Sequence, residues 1–179
     1  MLRVIILTFS VVRYGNVMGS NGSVIPFFYK KKEEGIIPIT DKNMTRFNIT
    51  LMEGVNMVLY SLEHSWGGEL FVPKIPSYKI LDVANAIAPE CKLKFIGIRP
   101  GEKIKETLIS IDESIYVVNF DSYYSIIPQI SINKKVNYLK NMINEKGKRI
   151  KKAFEYNSED HSKRLRTSQL EKIIKNIKF

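Results

Sequence analysis

A chain of 179 residues that is 44% apolar and 26% charged has the length for a domain with a real core and the balance of an ordinary globular protein. Its single cysteine, Cys91, excludes an intramolecular disulfide and a multi-cysteine metal site, which suits a reducing cytoplasm, and no apolar run reaches the ~20 residues that cross a bilayer. The net charge of +10 is uneven: residues 1–132 carry 14 Lys/Arg against 13 Asp/Glu, and residues 133–179 carry 14 against 5, so +9 of it belongs to the last quarter.

Val4 to Val12 is a nearly continuous apolar run rich in β-branched residues, as in a strand buried on both faces of a parallel sheet. It lacks the small-residue cleavage site of a signal peptide, and Arg13 follows at once. A parallel strand needs neighbours, and the run is expected to find them in upstream sequence or another chain. Arg13 to Gly22 follows, with glycines at 15, 19 and 22. This spacing is not the dinucleotide pattern G-x-G-x-x-G, and no acidic second strand follows about 20 residues on, so a complete dinucleotide site is rejected. A loop at the carboxyl end of a parallel strand is still where α/β folds bind ligands.

Ser23 is placed to cap a helix through Val24 to Phe28, with Lys30 to Glu34 as its solvated end and Gly35 as its stop. Thr40 to Arg46 reads as a polar loop. Thr50 and Glu53 form a capping box for a helix whose buried stripe is expected to be Leu51, Val55, Val58, Leu59 and Leu62. Gly67-Gly68 breaks the chain before a short strand, Leu70 to Val72. Ser77 is expected to cap a second helix, with Ile80, Leu81, Ala84 and Ile87 on one face and Pro89 as its end.

Leu93 to Ile98 reads as a strand running into Ile98-Arg99-Pro100-Gly101-Glu102-Lys103, and Lys103 to Ser110 as a short amphipathic segment. Pro100 stiffens this turn and Gly101 permits its bend, so Arg99 and Glu102 are held at the end of a strand. Two readings fit: a surface turn with an ion pair, or a guanidinium that forks onto phosphate beside a carboxylate that accepts from a ribose hydroxyl. Ile115 to Phe120 and Tyr123 to Ile127 read as strands, and Asn133 to Lys152 as weakly helical at best. Ser168 and Glu171 form a capping box for a terminal helix with Leu170, Ile173, Ile174 and Ile177 on one face. The basic tail has few aromatics to stack bases and no nucleic-acid motif, so it reads as a solvated face. His64 and His161 have no metal-ligand partner at helical spacing and read as surface histidines. There is no P-loop and no nucleophile elbow, and Cys91 reads as structural.

Four segments together carry a resemblance: Arg13 to Gly22, Met44-Thr45-Arg46-Phe47, Phe71-Val72-Pro73-Lys74-Ile75-Pro76-Ser77, and Ile98 to Lys103. They resemble the inverting UDP-N-acetylglucosamine 4,6-dehydratases of pseudaminic acid and capsule biosynthesis, which are extended short-chain dehydrogenase/reductases. The similarity runs from about Phe9 to the terminal helix and takes in Phe154-Glu155-Tyr156 and Ser158. It implies an α/β fold, here the last Rossmann strands plus a small α/β substrate-binding domain. The segments are then 1–22, a residual Rossmann strand and ligand loop; 23–132, a sugar-nucleotide region; and 133–179, a basic segment with the terminal helix. The implied chemistry is oxidation at C4, loss of water across C5 and C6, and return of the hydride to C6 with inversion at C5, using NADP.

By that resemblance Asn16, Arg46, Arg99 and Glu102 bind the sugar nucleotide, and Val17, Met18, Gly19, Ser20 and Asn21 approach the cofactor. Family members are homo-oligomers. The family's glycine-rich loop and Tyr-x-x-x-Lys pair lie upstream of the matching region, and none of the nine tyrosines here has a lysine four positions later. Thr40-Asp41-Lys42 mimics a catalytic triplet but precedes the Thr45-Arg46-Phe47 segment, so it is a decoy. Asn48 stands where the family has a large apolar residue. The expectation is a substrate-binding half, cytoplasmic and inactive without its N-terminal partner. That half is expected to have neither a specific nucleic acid nor a membrane as partner; the alternative is a non-catalytic interaction module that uses the basic tail, with nucleic acid as its candidate ligand.

Overall fold

The computed structural model describes residues 7–130, 135–159 and 161–177. In chain order the first elements are β1 (Val11–Val12), α1 (Val24–Lys32), β2 (Ile36–Ile39), β3 (Thr45–Phe47), α2 (Leu51–His64), β4 (Leu70–Pro73), β5 (Ser77–Lys79), α3 (Ile80–Ile87) and β6 (Lys92–Phe95). There follow β7 (Thr107–Ile109), α4 (Ile111–Ser114), β8 (Val117–Asn119), β9 (Tyr123–Ile126), β10 (Lys148–Arg149), β11 (Tyr156–Asn157) and α5 (Thr167–Lys175). The fold is α/β, as expected. Its contacts divide it into two compact units: the described parts of 1–14, 55–74 and 108–155, and those of 15–54, 75–107 and 156–179.

The first unit is built on a five-stranded sheet in the order β1-β4-β9-β8-β10. β1 runs parallel to β4, Val11 opposite Leu70, and the remaining pairs are antiparallel. Of the long buried strand expected over Val4 to Val12, the described residues form strand only at Val11–Val12; Leu7 and Phe9 are 74% exposed, and Val4 to Ile6 lie outside the described residues. Its parallel neighbour is β4 of the same chain, while its other edge is unpaired among the described residues. Phe71, Val118, Phe120 and Tyr123 form the core of this unit, with Met57 and Tyr60 of α2 packed on it.

The apolar stripe read from α2 is exposed: Leu51 and Leu62 are each 69% accessible, and Val55, Val58 and Leu59 are also exposed. Gly54, Ser61 and His64 are buried on the opposite side. The capping box is as expected, with Glu53 Oε2 2.8 Å from both the Thr50 N–H and Thr50 Oγ1. His64 is not a surface residue: it stacks on Tyr60 with centroids 3.9 Å apart, and its Nδ1–H donates to Tyr60 O at 2.7 Å.

Residues 135–152 are not helical. A turn is closed by Asn141, whose Nδ2 donates to Glu145 Oε2 at 2.8 Å and whose Oδ1 accepts from the Glu145 N–H at 2.9 Å; Tyr60 donates to the same carboxylate at 2.7 Å. Asn144, at φ 64°, supplies the left-handed step that such turns require and asparagine tolerates. The expected amphipathic segment over Lys103 to Ser110 runs instead into β7. Ser110 then caps α4 in a box with Glu113, and Glu113 also takes the Arg13 guanidinium at 2.9 Å.

The second unit packs α1, α3 and α5 with the parallel pair β2–β6 around Ile25, Phe28, Ile37, Ile39, Val83 and Leu170. The segment read as a polar loop, Thr40 to Arg46, runs into β3, which pairs antiparallel with β5 and places Arg46 opposite Tyr78. Thr45 and Phe47 are both buried, which short-range composition does not reveal. Ser77 does not cap a helix. It lies in β5, α3 starts after Lys79, and Val83 rather than Leu81 joins the core. In α5 the cap is Gln169 accepting from the Arg166 N–H at 2.9 Å, not Ser168 with Glu171, while Leu170 and Ile174 are buried as expected.

Candidate functional site

The glycine-rich loop after β1 is fixed by backbone geometry. Val17 makes a parallel bridge to Ile49, Met18 N–H donates to Ile49 O at 2.8 Å, and Ile49 N–H donates to Asn16 O at 3.3 Å. Gly15 lies so close to β3 that an added Cβ would meet Phe47 Cβ at 2.3 Å, so only glycine lets the loop pass here. The loop leads to α1, whose first residues, with Ser23 before them, line one cavity of about 630 Å³.

That cavity is lined by Asn16, Arg46, Arg99 and Glu102 together, and by Val17, Met18, Gly19 and Asn21 from the loop. Ser20 lines a second cavity of about 560 Å³, bounded by Thr50 to Met52 and by Ile173, Asn176 and Ile177 of α5 and its end. Tertiary packing thus brings to one place four polar residues that the sequence spreads over 87 positions, from 16 to 102. Lys30, Arg46 and Arg99 are its cations and Glu102 its carboxylate. Three cations lining one cavity make a setting for a diphosphate.

The Arg99 turn takes the form expected of Pro-Gly, with Gly101 at φ 83°. Its two charges do not meet as a side-chain ion pair. Glu102 Oε2 accepts from the Arg99 backbone N–H at 3.0 Å, and the Glu102 N–H donates to Arg99 O at 3.0 Å. The guanidinium of Arg99 is exposed at the cavity rim, while Glu102 is held by the turn.

Arg46 is held more tightly. Its Nη1 donates to Thr45 O at 2.7 Å and its Nε lies 3.6 Å from Glu106 Oε1. Glu106 Oε2 accepts from the Phe47 N–H at 3.2 Å, and the Asn16 amide, turned to donate, places Nδ2 2.9 Å from the same oxygen. Burial pushes the Glu106 carboxyl above the ordinary glutamate value, although the Phe47 N–H, Arg46 and Lys103 pull the other way. Burial also raises Tyr78, with the Glu106 charge adding to it. Sequence reading missed Glu106. Its only signal is its place four residues after Glu102, and the contacts that define it are long-range.

The remaining sequence candidates serve the fold. Asp41 Oδ1 accepts from the Asn43 N–H at 2.7 Å, which places Thr40-Asp41-Lys42 in a turn. Cys91 Sγ faces Lys32 O at 3.7 Å. The side chain of His161 lies outside the description. Among the described residues no His, Cys, Asp and Glu group could hold a metal ion, and no helix is long and apolar enough to cross a membrane.

Comparison with known proteins adds the following. Residues 4–128 match the family model described as polysaccharide biosynthesis protein. An inverting UDP-N-acetylglucosamine 4,6-dehydratase of Campylobacter jejuni is 49% identical over 156 residues, covering 86% of this chain and 47% of that protein. A UDP-glucose 4-epimerase of Rickettsia felis is 36% identical, covering 94% and 50%. The X-ray structure of Pen from Bacillus thuringiensis superposes with a TM-score of 0.78 at 32% identity, again covering 94% of this chain and 50% of that one. The chain spans about half the length of the curated relatives it matches.

Proposed function

We propose that this chain, which belongs to the polysaccharide biosynthesis protein family, is the substrate-binding, C-terminal portion of a UDP-N-acetylglucosamine 4,6-dehydratase of the inverting type, without activity alone. The observation that carries this is the single cavity that gathers Asn16, Arg46, Arg99 and Glu102. In this reading Arg46 and Arg99 hold the diphosphate, Glu102 accepts from the ribose, and Asn16 contacts the sugar. The product would feed surface-polysaccharide or flagellin-glycan synthesis of the pseudaminic acid type, in the cytoplasm.

NADP is the cofactor the family resemblance implies, and this chain's residues do not by themselves fit it. Among the described residues no cationic side chain lines the second cavity, beside Val17 to Ser20, to hold a pyrophosphate, and the sequence holds no G-x-G-x-x-G and no Tyr-x-x-x-Lys. The loop Val17 to Asn21 could only approach a cofactor held by another segment. The partner is therefore an N-terminal Rossmann half. Support comes from α2, whose Leu51, Val55, Leu59 and Leu62 form an exposed apolar face, and from β1, whose second edge is unpaired among the described residues. Such surfaces are normally covered. With both halves present, the assembly forms the homo-oligomer of the family.

The test has two arms. Titration of the 179-residue chain with UDP-N-acetylglucosamine should show saturable binding that Arg99→Lys weakens by about tenfold, because an ammonium cannot reproduce the planar fork. Assayed with NADP, the chain should form the 4-keto-6-deoxy sugar only after the separately made N-terminal half of a relative is added. Turnover by the chain alone near the rate of a full-length enzyme would overturn the reading.

A further inference from the structure

We propose that Glu106, which does not itself line the cavity, is its positioning residue: its carboxylate fixes the donor directions of Asn16 and Arg46, and thereby decides which end of the Asn16 amide the ligand meets. This rests on the sugar-nucleotide reading of the cavity. Three groups from two separate segments converge on this one carboxylate: Asn16 Nδ2, which reaches both oxygens and lies 2.9 Å from Oε2, the Phe47 N–H at 3.2 Å on Oε2, and the Arg46 guanidinium, ion-paired through Nε at 3.6 Å from Oε1. An ionised carboxylate is acceptor-only and can take all three; an amide has one acceptor oxygen and would set its own NH₂ against these donors.

The carboxylate is anchored from behind. The Glu106 N–H donates to Ser158 Oγ at 2.9 Å, the Ser158 N–H donates to Glu106 O at 2.8 Å, and Ser158 Oγ lies 2.7 Å from Thr45 Oγ1. Ser158 is fully buried. The clamp therefore ties β3, the glycine-rich loop and the segment after the Arg99 turn into one frame.

Two consequences follow for a ligand. With Nδ2 turned inward to Glu106, Asn16 presents Oδ1 to the cavity, an acceptor for a hydroxyl or amide N–H on the sugar. With Nη1 on the Thr45 carbonyl and Nε on Glu106, Arg46 keeps its Nη2 group for a phosphate oxygen. A mismatched acceptor on Glu106 would flip the first and loosen the second. The charged or titratable groups facing Glu106 are Arg46 from β3, Tyr78 from β5, and Lys103 from its own segment.

The experiment compares wild-type chain with Glu106→Gln, which keeps the shape, and Glu106→Asp, which keeps the charge but shortens the reach. UDP-N-acetylglucosamine should bind Glu106→Gln about 10- to 100-fold more weakly, with no matching loss in folding cooperativity. In wild type the affinity should fall as pH drops through a value above the ordinary glutamate range, and Glu106→Gln should lose that acid limb. The Asn16 side-chain amide protons, followed by NMR, should be protected from exchange in wild type and exposed in Glu106→Gln.

If wild type binds and Glu106→Gln binds equally with the same pH profile, the inference is overturned. If wild type does not bind at all, the sugar-nucleotide reading falls, and Glu106 is judged on the Asn16 amide alone: loss of its protection in Glu106→Gln supports the positioning role, and an unchanged spectrum overturns it.

Discussion

Tyr156→Phe removes one oxygen and leaves the rest of the side chain in place. That oxygen accepts from the Ile75 N–H at 2.9 Å and donates to Ile75 O at 3.0 Å, so one hydroxyl satisfies both backbone groups of a buried residue. Ile75 and Tyr156 are each 6% exposed, so water is not at hand to replace it. The ring packs on Phe47 with centroids 4.9 Å apart, and phenylalanine retains that contact. The cost is therefore that of a buried N–H and C=O left without partners, about 2–3 kcal/mol. For a chain of this size that lowers the melting temperature by about 4–12 °C. Differential scanning calorimetry measures the shift, and hydrogen exchange at the Ile75 amide locates it. Because Ile75 precedes β5, which pairs with the Arg46 strand, UDP-N-acetylglucosamine affinity should fall as well. A melting temperature within 1 °C of wild type, with the Ile75 amide still protected, would refute the reasoning.

Gly15→Ala must push the glycine-rich loop off β3, since its Cβ would sit 2.3 Å from Phe47 Cβ; a loss of about 1–3 kcal/mol by denaturant titration is expected, together with weaker ligand binding. Asn48→Leu removes a buried Oδ1 that has no hydrogen-bond partner and should stabilise the chain by about 1 kcal/mol, read as a higher denaturant midpoint at unchanged slope. Burial pushes the Glu113 carboxyl up, but the Ser110 N–H and Arg13 outweigh it and hold it below the ordinary value of 4.5. Its contribution is therefore full above that value and lost as pH falls through the folded-state pKa. Glu113→Gln should flatten stability against pH in that acid window, by under about 1 kcal/mol for so exposed a pair.

The sequence by itself determined what is local. The Thr50–Glu53 capping box, the Pro-Gly turn at Arg99, the short strands at Leu70 and Tyr123 and the buried faces of α3 and α5 follow from spacing, turn chemistry and side-chain shape, which act within a few residues. The motif resemblance likewise marked Asn16, Arg46, Arg99 and Glu102, although nothing in the linear order shows that they share a cavity.

Tertiary structure decided the rest, because it depends on which segment covers which. The α2 stripe has the period of a buried face, yet periodicity reports that a face is apolar and not that anything lies on it; within this chain Leu51, Val55 and Leu62 stay exposed. Thr40 to Arg46 looks like loop until β5 pairs with its end, and Ser77 looks like a cap until its backbone is used in that pair. Glu106 was invisible for the same reason. Its partners Asn16, Arg46 and Ser158 lie 90, 60 and 52 residues away, and a carboxylate acquires a role only when the fold brings its donors within reach.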